Sequence, residues 1–228
     1  MTLEIRQIGK TYCKSKPDPG SRPVLDGISL NIHQGDRVGI TGSSGAGKST
    51  LGFVLTVTLR PDKGTVLFEG INFWTANRSV RKALSKKLQM VYQHPESAFD
   101  PRWTIRQSLA EPFRFIGTRP DEKQLISRLA AVELDAEILN RRPDQLSGGE
   151  LQRIAIARVM ILEPKVVVLD EPTAMLDVLT QAKIMHLLET FQEKTNTAYV
   201  LISHDPEMVD RFCNKKFRLN CGQLTPFG

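Results

Sequence analysis

A glycine-rich run early in the chain has the residue types and spacing to hold the phosphates of a nucleotide. Gly42-Ser-Ser-Gly-Ala-Gly-Lys48-Ser49 matches the pattern G-x-x-x-x-G-K-[S/T] at every defined position. Its glycines permit backbone angles closed to other residues, so successive N–H groups can line a concave anion site. We expect Lys48 to place a positive charge beside the β- and γ-phosphates and Ser49 to offer its hydroxyl to Mg²⁺. The predicted cradle comprises Gly42, Ser43, Ser44, Gly45, Ala46, Gly47, Lys48, Ser49 and Thr50.

Two adjacent carboxylates follow an apolar run later in the chain. Val166–Leu169 is typical of a buried parallel strand, and it leads into Asp170 and Glu171. Ligands of open α/β sheets bind at the carboxyl ends of the strands. We therefore expect Asp170 to hold Mg²⁺ through water, and Glu171 to activate or orient an attacking water. An acidic pair in an exposed turn is the common alternative, and the phosphate-loop motif upstream argues against it.

The elements that must position these residues alternate between strand and helix, which predicts an α/β fold. The helix after the phosphate loop should begin at Lys48 and end before Pro61, and a small hairpin is expected over Lys215–Leu224. Three segments in the middle of the chain read as a helical insert: Thr104–Phe115, Asp121–Val132 and Ala136–Leu139. Further helices are predicted from Ser147 to about Leu162 and over Val178–Lys194. The predicted strands are Leu3–Ile8, Ile28–Ile32, Val38–Thr41, Thr65–Glu69, Leu88–Tyr92, Val166–Leu169 and Tyr199–Ser203.

The bulk composition excludes several classes of protein. The chain has 228 residues, 40% of them hydrophobic, enough for one folded domain. No apolar run reaches the roughly 18–20 residues needed to cross a bilayer, and the first residues lack a signal-peptide core, so a cytoplasmic location is expected. Cys13, Cys213 and Cys221 have no metal-ligand spacing and are expected to be free thiols.

A net charge of +6 raises the question of a nucleic-acid partner. The densest basic run lies in the segment from Arg78 to Lys87, and no aromatic platform accompanies it. A solvated helix face explains such a run, and we expect no nucleic-acid partner. The run comprises Arg78, Arg81, Lys82, Lys86 and Lys87.

A second motif indicates a resemblance to a known family. Leu146-Ser-Gly-Gly-Glu-Leu-Gln-Arg153, taken with the phosphate loop and the Asp170-Glu171 pair, resembles the signature of the ATP-binding cassette (ABC) ATPases. Ser147, Gly148 and Gly149 would open a helix whose N-terminus offers a second anion-binding surface. The resemblance implies ATP and Mg²⁺ as cofactors, and ATP hydrolysis coupled to transport. It also implies a head-to-tail dimer in which the signature of one chain closes over ATP held by the other.

Four further positions take their expected roles from the resemblance alone. Tyr12 would stack on adenine, Gln93 would touch Mg²⁺ and the attacking water, Asp177 would cross the dimer, and His204 would contact the γ-phosphate. Without the family, Tyr12 could be a strand-end tyrosine and His204 an ordinary loop histidine. The expected catalytic set is Glu171, His204 and Gln93, and the expected metal set is Ser49, Gln93 and Asp170. Ala174 and Met175 depart from the usual Ser and Ala of the family.

The resemblance also implies a domain organisation. We expect one ABC ATPase domain over residues 1–228, with a P-loop α/β core and an N-terminal antiparallel β subdomain. The helical insert would form a helical subdomain at about residues 94–160, facing a permease.

The segment from Gln89 to Pro112 is similar to the ATPases of peptide and nickel importers. Arg211-Phe-Cys213 and Gly222-Gln-Leu resemble the nickel branch, and the chain stops at Gly228, where many oligopeptide-importer ATPases continue. The implied partners are two membrane permeases, a second ABC ATPase or a second copy of this chain, and, indirectly, an extracytoplasmic binding protein. The implied location is the cytoplasmic face of the cell membrane.

The expected cargo is nickel or another metal, free or chelated, with di- or oligopeptides as the alternative. Two functions outside import stay open at the level of sequence. One is a soluble ATPase of repair or translation, and the other is the motor of an exporter.

Overall fold

The computed structural model describes residues 2–12, 23–174 and 176–227. Cys13, Met175, Gly228 and most of the polar loop after Tyr12 lie outside the described residues. Contacts between residues divide the chain into two compact units. The first comprises Met1–Met90, Lys165–Glu171 and Asn196–Gly228, and the second comprises Val91–Pro164 and Pro172–Thr195.

The strands form two sheets. The four-stranded sheet has the order β2-β1-β4-β5, with antiparallel pairing throughout, and the six-stranded sheet has the order β10-β9-β3-β8-β7-β6. The strands are β1 Leu3–Lys10, β2 Leu25–Ile32, β3 Arg37–Thr41, β4 Lys63–Phe68, β5 Ile71–Asn72, β6 Leu88–Val91, β7 Val166–Asp170, β8 Ala198–Ile202, β9 Lys215–Asn220 and β10 Gln223–Pro226.

The parallel centre of the larger sheet brings together the carboxyl ends of three strands. β3 pairs with β8, and β8 with β7, in parallel registers that set Ile40 and Asp170 each opposite Ile202. Every residue of β7 and β8 is buried, as expected for central strands covered on both faces. The phosphate loop after β3, the carboxylates at the end of β7 and the histidine after β8 therefore leave the same edge.

Seven α-helices are described, together with three short 3₁₀ helices. The α-helices are α1 Lys48–Leu55, α2 Arg78–Ser85, α3 Ile105–Ile116, α4 Glu122–Ala130, α5 Gly148–Met160, α6 Val178–Thr195 and α7 Pro206–Phe212. The 3₁₀ helices are Pro95–Ala98, Ala136–Asn140 and Pro143–Gln145.

The predicted α/β class is confirmed, while one predicted helix differs from expectation in where it ends and another in its type. The helix after the phosphate loop ends at Leu55, well before Pro61, because Val57 takes a left-handed backbone conformation with φ 55°. The Thr56 hydroxyl donates to the Gly52 carbonyl at 2.9 Å and closes that end. The predicted segment Ala136–Leu139 forms a 3₁₀ helix rather than an α-helix.

The second unit has its own apolar core. Side chains from α3, α4 and α5 meet there, joined by residues of the 3₁₀ segment Ala136–Asn140. Burial of this kind contributes roughly 25 cal/mol per Å² of apolar surface. The core comprises Phe99, Ile105, Leu109, Phe113, Leu125, Leu129, Val132, Leu134, Ile138, Leu139, Leu151, Ile154, Ala155, Ala157 and Ile161.

Candidate nucleotide site

The phosphate-loop motif forms a turn between β3 and α1. Gly45 and Gly47 have φ values of 76° and 99°, which favour glycine. A Cβ at Gly47 would also lie 2.7 Å from Val24 Cγ1 and 2.9 Å from the Val24 carbonyl. Since α1 begins at Lys48, the free N–H groups of its first turn point into this loop. The arrangement is that of an anion-binding helix N-terminus.

Lys48 lies across its own loop. Its Nζ donates to the carbonyl oxygens of Gly42 at 2.9 Å and Ser43 at 3.0 Å. These two bonds hold the half-buried ammonium over the concave side of the turn. A phosphate oxygen bound there would meet a preset positive charge.

Asp170 is the buried carboxylate of the site, with only 5% of its surface exposed. Burial raises the pKa of Asp170, as does the charge of Glu171, while a hydrogen bond from the Ser49 hydroxyl and the charge of Lys48 act to lower it. Its Oδ1 has no hydrogen-bond partner among the described residues. A buried carboxylate oxygen beside a serine hydroxyl is a donor set that Mg²⁺ favours, so these residues fit the cation that the sequence predicts.

Glu171 and His204 form a close pair. Glu171 Oε2 lies 2.5 Å from His204 Nδ1, and the side chains are 12% and 72% exposed, respectively. Glu171 has φ 49°, an uncommon value for a residue other than glycine, and its amide donates to the Ile202 carbonyl at 2.9 Å. Neighbouring strand ends thus fix the acid–histidine pair, which can accept or pass a proton.

Tyr12 follows the end of β1 and reaches toward α1. The residue is 54% exposed, and its hydroxyl lies 3.4 Å from Thr50 Oγ1. The exposed ring leaves room for a flat partner, and its hydroxyl lies beside the last residue of the predicted cradle. This placement suits the predicted stacking on a nucleotide base.

The second unit carries the remaining predicted residues, beginning with a capped helix N-terminus. Ser147 Oγ accepts a bond from the Glu150 amide at 3.3 Å, and Glu150 Oε2 accepts from the Ser147 amide and hydroxyl, each at 2.8 Å. The bond from the Ser147 amide is the main cause that lowers the pKa of Glu150. This capping box starts α5 at Gly148, as the S-x-x-E spacing allows.

The start of α6 lies against the start of α5. A Cβ at Gly149 would lie 2.8 Å from Thr180 Cγ2, so this contact requires glycine. Asp177 accepts bonds from the Thr180 amide at 2.9 Å and the Thr180 hydroxyl at 2.6 Å. Gln93 is exposed, two residues after the end of β6.

Two features of these groups were missed by sequence reasoning. The left-handed backbone at Glu171 has no signal in the residue type, because glutamate has no preference for it. The role of Glu150 as the second half of the cap could have been read from its position three residues after Ser147.

The fold and the site together define a P-loop ATPase cassette of the α/β class. The family model described as ABC transporter matches residues 25–174. The chain belongs to the ABC transporter family, and it is an ATP-binding ATPase of that family.

Curated relatives agree with this assignment. The chain is 40% identical over 205 residues to the nickel import ATP-binding protein NikE of Escherichia coli (strain K12) and to that of Shigella boydii serotype 4 (strain Sb227). Both alignments cover 89% of this chain and 76% of the relative.

Solved structures of ABC cassettes share the fold. A dimeric post-hydrolysis state of the ATP-binding cassette MJ0796, bound to ADP and Pi, matches with a TM-score of 0.84 and 29% identity over 97% of this chain and 96% of that one. The protein cbiO1 of Clostridium perfringens, part of the ABC transporter complex cbiONQ, matches with a TM-score of 0.80 and 27% identity over 98% and 86%. Within the described residues, no helix is both long and apolar enough to cross a bilayer.

Proposed function

We propose that this chain is the ATP-hydrolysing subunit of an importer that takes up nickel or another metal, as the ion or as a chelate. The observation that carries the proposal is the 40% identity, over 89% of the chain, to proteins named for nickel import. Arg211-Phe-Cys213, which resembles the nickel branch, supports it. Di- or oligopeptide import is the second candidate, because the segment from Gln89 to Pro112 is similar in both groups.

In the proposed reaction, the phosphate loop and Lys48 bind the triphosphate of ATP. Ser49 and Asp170, together with Gln93, would hold Mg²⁺, which supplies positive charge for the phosphates when bound. Glu171 accepts or orients the proton of the attacking water, and His204, paired with it at 2.5 Å, contacts the γ-phosphate. The buried Oδ1 of Asp170, which has no hydrogen-bond partner among the described residues, supports this proposed placement of the cation.

A second chain would complete each site. The helix N-terminus at Ser147, Gly148 and Gly149 is suited to bind an anion, as is the phosphate loop. One chain therefore has two surfaces suited to phosphate but only one site for the γ-phosphate of ATP. We infer that the helix N-terminus closes over ATP held by another copy or by a second ABC ATPase, with Asp177 crossing between the chains. The similar cassette MJ0796 is dimeric in its post-hydrolysis state, which is consistent with this inference.

The proposed partners are two membrane permeases, with an extracytoplasmic binding protein acting indirectly and the chain attached at the cytoplasmic face of the membrane. The chain would act as one ABC ATPase domain over residues 1–228, and its helical part, about residues 94–160, would face the permeases. Among the described residues, no cluster of three His, Cys, Asp or Glu side chains could hold a metal ion. Cargo selectivity is therefore assigned to the permeases and the external binder.

The test is a gene deletion assayed for both cargoes. Deletion should lower cellular nickel, cobalt or zinc in metal-poor medium and leave dipeptide uptake intact. The wild-type gene should restore metal content, and a Glu171→Gln gene expressed to the same level should not. Normal metal content with collapsed peptide uptake would overturn the metal assignment in favour of peptide import.

A further inference from the structure

One carboxylate outside the predicted site forms hydrogen bonds with the segment that leads to Tyr12, the residue that we propose stacks on the base. Asp62 Oδ2 accepts a hydrogen bond from the Thr11 amide at 2.9 Å, and its Oδ1 accepts one from Lys10 Nζ at 2.7 Å. Asp62 belongs neither to the predicted phosphate cradle nor to the carboxylate pair Asp170-Glu171. Its two bonds are made to the two residues that precede Tyr12.

Further bonds fix the end of β1 to the loop that follows α1. The Asp62 amide donates to the Gly9 carbonyl at 2.9 Å, and Lys10 Nζ donates to the Arg60 carbonyl at 3.1 Å. Partial burial acts to raise the pKa of Asp62, but the bonds from Lys10 and from the Thr11 amide outweigh it and hold the pKa below its ordinary value. Asp62 is therefore ionised at neutral pH and keeps both bonds.

The described contacts of the Tyr12 ring itself are few. Since Tyr12 is 54% exposed, packing against the protein constrains its side chain only in part. Its hydroxyl contact to Thr50 is long, at 3.4 Å, and weaker than an ordinary hydroxyl bond. Within the described residues, the bond to the Thr11 amide, one residue away, is a short constraint on this segment.

We propose that Asp62 is a positioning residue for the nucleotide base, acting through the Thr11 amide and the stacking ring of Tyr12. The inference rests on the proposed role of Tyr12 in ATP binding. It adds that the loop after α1 tunes recognition of the base and leaves recognition of the phosphates untouched.

Removal of the Asp62 side chain should be tolerated by the fold. The side chain is 47% exposed and borders an open polar cavity of about 560 Å³, also lined by Arg60 and Trp74, so water can replace the lost oxygens. Asp210 provides a matched control, because it is a 61% exposed carboxylate bonded to Lys216 Nζ at 2.7 Å in the same unit.

The experiment compares the binding of ATP and of inorganic tripolyphosphate, which has no base, by titration calorimetry on the full chain. Asp62→Ala should weaken ATP binding about three- to tenfold, which is part of the affinity that stacking on the base contributes. Tripolyphosphate affinity should be unchanged. Asp62→Asn, which keeps an oxygen for the Thr11 amide, should weaken ATP binding less, and Asp210→Ala should have no effect.

A double variant separates this inference from the proposals beneath it. If Asp62 acts through the ring, Asp62→Ala should cost nothing further in a Tyr12→Ala background. Three results would each overturn the inference. The first is an unchanged ATP affinity in Asp62→Ala, and the second is an equal loss of affinity for ATP and for tripolyphosphate. The third is a double variant whose loss of ATP affinity is the full sum of the two single losses. If Tyr12→Ala binds ATP normally while Asp62→Ala does not, the stacking role of Tyr12 is wrong, and the route through it fails as well. Metal import is tested by none of these measurements.

Discussion

Asp170 and Glu171 are neighbours in the chain, yet their carboxylates lie in different surroundings. Asp170 ends a wholly buried strand and keeps one oxygen without a partner among the described residues. Glu171 turns away through a left-handed backbone and meets His204. Adjacent acids can therefore take different tasks, one holding a cation and the other handling a proton.

Asp170→Asn should remove the part of ATP binding that depends on Mg²⁺. The amide keeps the shape of the side chain but lacks the negative charge that a divalent cation needs. Calorimetric titration with ATP in the presence of Mg²⁺ or of EDTA measures the difference. The wild-type chain should bind more tightly with Mg²⁺, and the variant should bind equally in both buffers. A variant that keeps the full Mg²⁺ effect would exclude Asp170 as a metal ligand.

At the scale of elements, the strands and helices that carry the site were predictable. The apolar run Val166–Leu169 and the glycine-rich motif before Lys48 specify β7 and the start of α1, because burial and positive φ each demand particular residue types. The early end of α1 was not predictable, since it depends on a left-handed Val57, a conformation that valine disfavours. The bond from the Thr11 amide to Asp62 could not be predicted either, because it joins residues 51 apart in sequence.

The start of α5 should depend on its cap. Ser147→Ala removes the oxygen that accepts the Glu150 amide and should lower the free energy of unfolding by about 1 kcal/mol. Ser147→Gly should cost only a few tenths of that, because glycine is tolerated at this position. Urea unfolding of the three proteins without nucleotide checks the order. Equal stability of wild type and Ser147→Ala would show that the cap does not stabilise the helix.

The junction of β2, β3 and β9 should give the fold an acid-sensitive contact. Burial acts to raise the pKa of Asp36, but bonds from Lys215 Nζ at 2.6 Å and the His33 amide at 2.7 Å lower it overall. Because the pKa of Asp36 is lower in the folded than in the unfolded protein, its ionised form stabilises the fold at pH values above the unfolded-state pKa. This contribution is lost as the pH falls below about 4.

Asp36→Asn should therefore lower the free energy of unfolding at pH 7 and flatten its decline in acid. Urea unfolding across a pH series measures both, with Asp210→Asn as a surface control. A variant whose stability follows the wild-type curve at every pH would show that the Asp36–Lys215 pair does not contribute.

At the scale of the whole molecule, the two groups that we propose to bind phosphate lie in different units of one chain. The loop at Lys48 belongs to the first unit, and the helix N-terminus at Ser147 belongs to the second. Family membership establishes ATP binding. That hydrolysis depends on Glu171 is the central claim, because coupling to transport requires turnover and not binding alone.

The most direct test is the rate of phosphate release from saturating MgATP. It compares wild type with Glu171→Gln in the proposed transporter complex, purified through a tag on this chain. The amide preserves the shape of the side chain but cannot accept the proton, and loss of a general base lowers rates by roughly 10²–10⁴-fold. We predict a loss of at least about a hundredfold, with ATP still bound to the variant. Phosphate release by Glu171→Gln at the wild-type rate would contradict the central claim.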